Sequence, residues 1–217
     1  MSRNRKTGAA RRPGRPKKGG RDTRESILAV ARRAFAKQGI AAVGLRALAG
    51  EVGITPASLL HHAGSRQALV EAVLRGVGED LARRLKGTRD HVDLLARLAR
   101  WADEDPAAAR LALQAMLAAP SSALVEEDEA RRREKAAEDN ASFRQAMMPL
   151  WPAFEVWRQV GAKSDKPAAL SELVMAIGAL LFEAAARDTL ARMSGLTPAR
   201  MHERFLRDLM AHLQGAE

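Results

Sequence analysis

Three groups of residues in this 217-residue chain carry side chains that can act together chemically. The first is a run of cations: residues 1–24 hold ten Lys or Arg, among them Arg15, Lys17 and Lys18, against one Asp. That stretch carries +9 of a formal net charge of +10, so the remaining 193 residues are nearly neutral. A cationic arm on a neutral globule seeks a polyanion, nucleic acid first and an anionic membrane surface second; the plainer alternative is a solubilising tail. The second group lies between Arg46 and Arg66: Thr55, Pro56, Ala57 and Ser58, then His61 and His62. It offers hydroxyl, imidazole and guanidinium groups on short segments. The adjacent histidines are poorly placed to share a metal ion, because successive side chains on a helix diverge by about 100°. The third group is apolar: Trp101, Leu113, Met116, Met147, Met148, Trp151, Phe154, Trp157, Met175 and Phe182. These residues either line an apolar pocket between helices or fill an ordinary core, and the Met and Trp cluster at 147–157 is the strongest pointer to a pocket.

Other chemistry is missing. There is no cysteine, which excludes disulfides, Cys-based zinc sites and cysteine nucleophiles and suits a reducing cytoplasm. No nucleophile elbow, P-loop, Gly-rich dinucleotide turn or HExxH motif occurs, so neither an enzyme nor a cofactor is expected. His91, His202 and His212 stand alone and read as surface residues. No run of 18 apolar residues exists to span a membrane, and no apolar stretch follows the basic N-terminus as in a secretory signal. At 47% hydrophobic and 29% charged, the bulk of the chain can bury a core.

The elements that must hold these residues read as helices throughout; alternating strand patterns are absent. Residues 1–20 have too few apolar side chains to fold alone and are predicted to be a disordered basic arm. A first helix is predicted from about Thr23 to Gln38, capped by Asp22 or Thr23, with Ile27, Ala31 and Phe35 on its apolar face and Gly39 ending it. A short second helix spans about Leu45–Val52. Gly53 ends it, Thr55 is the N-cap of a third, and Pro56 takes the N1 position, where its missing N–H costs nothing. The third helix ends near Ala63-Gly64. Ser65 caps a fourth, which begins at Arg66. Two short helices separated by Gly53-Ile54-Thr55 make a helix-turn-helix arrangement. Further helices are predicted at 90–103, 106–118, 121–162, 167–193 and 198–214, with Pro149 and Pro152 splitting the long one.

The stretches "TRESILAVARRAFAKQGIAAVGL" and "GLRALAGEVGITPASLLHHAGSRQALVEAVL" resemble the TetR (tetracycline-repressor-like) family over about residues 22–80. The resemblance implies an all-α homodimer with a DNA-binding domain at 21–82 and a helical domain at 83–217 that dimerises and holds an effector. Carried over by position, Arg46 starts helix two facing the DNA, and Thr55 to Ser58 open the recognition helix. His61 and His62 lie near the end of that helix, and Arg66 starts helix four. In the family these positions touch phosphates or base edges. Where the family often has Ser or Thr, this chain has Gly44, which can cap a helix but brings no side-chain donor. The family's aromatic pair at the end of helix three is replaced by Leu60 and Ala63.

In a helix-turn-helix protein the N-terminal residues of the recognition helix meet the base edges of the major groove. Here they lack the bidentate grip of Arg on guanine, so base reading falls to Ser58, to methyl contacts from Ala57 or Pro56, to His61 and to Arg46. Gly14-Arg15-Pro16 resembles the core of an AT-hook, which lays Arg in a narrow A·T-rich minor groove, with Lys17 and Lys18 beside it. The last two helices are expected to form a four-helix dimer interface. The expected protein is a cytoplasmic homodimeric repressor that binds palindromic double-stranded DNA and responds to a small apolar or aromatic effector. Its rival is an effector-independent architectural or anionic-surface-binding protein that uses the arm alone.

Overall fold

The computed structural model describes residues 20–118, 146–161 and 170–214, and among them every regular element is a helix. Helix α1 spans Gly20–Gln38, α2 Leu45–Val52, α3 Pro56–Ala63 and α4 Arg66–Leu85. Then come α5 (His91–Glu104), α6 (Pro106–Leu117), α7 (Trp151–Gly161), α8 (Leu170–Ser194) and α9 (Pro198–Gln214). The all-α reading of the sequence holds. Helix α1 starts at Gly20, ahead of its expected cap. Asp22 lies in its first turn, where a carboxylate complements the helix dipole, and Ser26 Oγ donates to the Asp22 carbonyl at 2.8 Å.

Helix ends follow local chemistry. Asp90 Oδ1 accepts the Asp93 N–H at 2.8 Å to start α5, and Asp105 Oδ1 accepts the Ala108 N–H at 2.9 Å to start α6, with Pro106 in the first turn. The predicted span 121–162 is interrupted as its prolines require: residues 148–150 form a turn, the Leu150 N–H donates to the Met147 carbonyl at 3.0 Å, and α7 begins at Trp151. Residues 121–145 and 162 of that span lie outside the described residues, as do residues 167–169 of the next predicted helix.

One apolar core runs the length of the molecule. Ile27 and Phe35 of α1, Leu48 of α2 and Leu59 of α3 join Leu74 and Leu81 of α4, which in turn join Trp101, Leu111 and Ile177. Helix α4 is the shared spine: it packs on α1 and α3 at one end and on α5, α6 and α7 beyond, unbroken across residue 82, where the sequence suggested a boundary. Its approach to the segment before α7 is close, since a Cβ at Gly78 would lie 2.6 Å from the Met148 carbonyl oxygen.

The junction of α5 and α6 ties the parts together electrostatically. Three consecutive carboxylates each meet an arginine from a different helix: Asp103 with Arg187 of α8 at 2.8 Å, Glu104 with Arg84 of α4, and Asp105 with Arg32 of α1. Asp103 also belongs to a second cluster around Glu183, which is 1% exposed. Arg187 grips both Glu183 oxygens, at 2.7 and 3.0 Å, and His202 Nδ1 lies 3.1 Å from Oε2. His202 Nε2 is 3.2 Å from Asp103. A buried carboxylate persists only when paired and hydrogen-bonded in this way. His202 is therefore not the surface residue the sequence suggested. The Nε2 atom of His91 is buried as well, its ring 6.4 Å from that of Trp157.

Candidate nucleic-acid interface

The helix-turn-helix is set by its caps. Gly44 N-caps α2 through its backbone alone, in extended conformation, and its carbonyl accepts the Leu48 N–H at 3.3 Å. Gly53 closes α2 in the left-handed region (φ 79°), a conformation that costs any residue with a Cβ. Its N–H and that of Ile54 both donate to the Ala49 carbonyl, at 2.9 and 3.0 Å. The chain then turns directly into Thr55, whose Oγ1 accepts the Ser58 N–H at 3.1 Å and fixes the start of α3, with Pro56 at N1. Ala49 is fully buried, so nothing bulky separates α2 from its neighbours. Leu59 is the buried anchor of α3, and Ser65 Oγ caps α4 by accepting the Ala68 N–H at 3.0 Å.

This frame leaves Arg46, Thr55, Pro56, Ala57 and His61 exposed, with Ser58 half-buried. Among the described residues, Arg46 has no ion-pair or hydrogen-bond partner, so its guanidinium is available to a phosphate. Two of the expected contacts are placed differently from the rest. Arg66 is half-buried and donates to the Ile40 carbonyl and, at 3.5 Å, to that of Ala41, so it clamps the loop between α1 and α2. His62 is half-buried and lines a narrow cleft of about 150 Å³ with Arg24 of α1 and Glu71 and Arg75 of α4. Its neighbour His61 points out, as the 100° step between successive helical residues requires. Leu60, noted in the sequence as a missing aromatic, is 39% exposed on the outer face of α3. Arg15, Lys17 and Lys18 lie outside the described residues.

The ten apolar candidates do not converge on one cavity. Trp101 is sealed in the core, and Leu113, Met116, Phe154 and Trp157 pack half-buried against it. Met147 is half-buried just before the turn that leads into α7. Met148 and Trp151 line an open, largely apolar groove of about 430 Å³ with Gly78, Ala82 and Pro152. Met175 and Phe182 are exposed, on the side of α8 opposite its buried Leu173, Ile177 and Leu180. On a 3.6-residue helix Met175, Phe182 and Met193 fall within about 20° of one another, so they form one outward apolar stripe. Charged side chains of the same helix, Asp188 and Arg192 among them, are exposed as well, so the stripe is one apolar strip on a mixed outer surface.

No group of three or more potential ligand side chains that could hold a metal occurs among the described residues, and no described helix is long and apolar enough to cross a membrane.

The architecture is that of a helix-turn-helix head continuous with a helical body. Residues 27–73 match the family described as "Bacterial regulatory proteins, tetR family". The match covers that head and not the helical body. Over 58 residues it is 38% identical to the HTH-type transcriptional repressor KstR2 of Rhodococcus jostii (strain RHA1), a match covering 27% of this chain and 28% of that protein's length. The fold is shared with Salmonella enterica GusR, at 22% identity over 93% of this chain and 98% of that one, with a TM-score of 0.55. It is shared also with a tetR-family transcriptional regulator from Streptomyces coelicolor, at 19% identity over 88% and 80%, with a TM-score of 0.54.

Proposed function

We propose that this protein is a transcriptional repressor that acts in the cytoplasm as a homodimer on a palindromic operator, and that a small apolar or aromatic effector weakens its grip on DNA. The observation that carries the reading is the α2–turn–α3 unit, whose capped geometry leaves the outer face of α3 and the guanidinium of Arg46 free to meet a duplex. The head at about 21–82 would read the operator, and the body at 83–217 would dimerise and take the effector. The uncovered stripe of α8, with Phe182 57% exposed, supports the dimer. The groove at Met148 and Trp151 is the place for the effector. The basic arm adds phosphate contacts.

The test is selection of sites from a random duplex pool by the full chain, followed by footprinting. The expected result is a palindrome with half-sites about one turn (~34 Å) apart, occupied by two chains. Equal affinity for every duplex, or comparable affinity for anionic vesicles, would instead favour an architectural or surface-binding protein that relies on the arm.

A further inference from the structure

We infer that the outer face of α3 selects DNA by the C5-methyl groups of thymine, with Leu60 as the principal reading residue; this rests on the DNA-binding reading above. At 100° per residue, the exposed positions of α3 fall in one arc of about 140°, in the order Pro56, Leu60, Ala57, His61. The half-buried and buried positions, Ser58, Leu59, His62 and Ala63, fill the rest of the circle. Three of the four outward side chains are therefore apolar, and His61 stands at one edge.

The major groove shows each base pair as a pattern of donors, acceptors and, for thymine alone among the four bases, a methyl group. Pro56, Ala57 and Leu60 have no side-chain polar atom with which to answer a donor or acceptor. A guanine or adenine edge set against them would lose its water and gain nothing in return. The thymine methyl is the one feature that gains from their contact. The Thr55 hydroxyl oxygen already accepts the Ser58 N–H, which draws it toward the helix axis. Leu60 reaches farthest of the three, and among the described residues it is an exposed large apolar side chain on α3. Covering it with a methyl group removes apolar surface from water on both partners.

The experiment uses the full-length protein and a duplex selected as above. Each thymine of one half-site is replaced in turn by deoxyuridine, which pairs identically and lacks the methyl. Two or three adjacent replacements should each weaken binding about fourfold, the effect of one buried methyl group, while the rest stay within twofold. Leu60→Ala should erase the sensitivity at one of those positions and leave the others. Deoxyuridine replacements that are all neutral, alongside a strong loss on 7-deazaguanine substitution, would overturn the inference by moving the reading to His61 and Arg46, while DNA binding itself stands. Failure to select any duplex over competitor would overturn both readings.

Discussion

The packing of α4 against the turn before α7 makes a sharp prediction from two glycines on one helix. Gly76 and Gly78 lie two residues apart within α4. An added Cβ at Gly76 meets nothing within 4 Å, so Gly76→Ala gains helix propensity, up to about 1 kcal/mol, without a clash. At Gly78 the same gain is opposed. The new methyl would sit 2.6 Å from the Met148 carbonyl oxygen, 3.5 Å from its carbon and 3.6 Å from Pro149 Cα. Those atoms are backbone, held by buried Pro149 and Leu150, and cannot swing aside as a flexible side chain would. Overpacking of this kind costs roughly 1–3 kcal/mol, and a backbone clash belongs in the upper part of that range. Gly78→Ala should therefore end about 1–2 kcal/mol less stable than the parent and about 2–3 kcal/mol below Gly76→Ala. For a chain of this size, that gap is a difference of roughly 4–12 °C in melting temperature. Urea and thermal unfolding followed by far-ultraviolet circular dichroism would measure it. Equal stability of the two variants would refute the close approach of α4 to residues 148–149.

Three further outcomes follow from other contacts. Arg187→Ala strips Glu183 of its two short ion-pair bonds and leaves a buried carboxylate with His202 alone, so it should destabilise by about 3 kcal/mol or more. Replacing both Glu183 and Arg187 by Leu should recover most of that loss in urea denaturation, and no recovery would mean that the pair itself holds the helices. Arg46→Ala should weaken binding to all duplexes alike and reduce the slope of log affinity against log salt by about 0.9 in a fluorescence-anisotropy titration; a change confined to one base pair would show that Arg46 reads sequence instead. Asp93 is held below the usual carboxylate range, first by the Arg97 guanidinium and then by the Arg89 backbone N–H. A depressed folded-state pKa gives stability that is present above the unfolded value of about 3.9 and is lost as the pH falls through the lower folded value. Asp93→Asn should accordingly flatten the acid limb of the unfolding midpoint against pH, and an unchanged limb would remove Asp93 from that role.

Helix ends were readable because their causes are local. Gly53, Thr55-Pro56, Ser65, Pro106 and Pro198 each sit where backbone chemistry alone decides, and the structure uses them so. The start of α1 differs because Asp22 and Thr23 both have side chains suited to an N-cap, yet the helix continues past them to Gly20. The inward turn of Arg66 was hidden because its acceptors, the carbonyls of Ile40 and Ala41, lie about 25 residues away and carry no side-chain signal. The cluster around Glu183 joins residues as far apart as Asp103 and Arg187. A trace of it does stand in the sequence: a Glu with an Arg four residues on, set inside the apolar run from Ile177 to Ala186. Met175 and Phe182 were assigned to a pocket by residue type, and the phase of α8 turns both outward. That phase is visible in the sequence once Leu173, Ile177 and Leu180 are taken as the buried side.

The three carboxylates at the junction of α5 and α6 bind this protein's history as well as its shape. Asp103, Glu104 and Asp105 each answer an arginine on a separate helix, so reversing any one charge sets it against a like charge from another part of the chain. A lineage can keep all three links only by changing position 103 with 187, 104 with 84, and 105 with 32. Descendants of a common ancestor should therefore vary at these six positions in matched pairs. A relative that has abandoned the 105–32 pair, which joins head to body, should show the two drifting apart in sequence at that joint first.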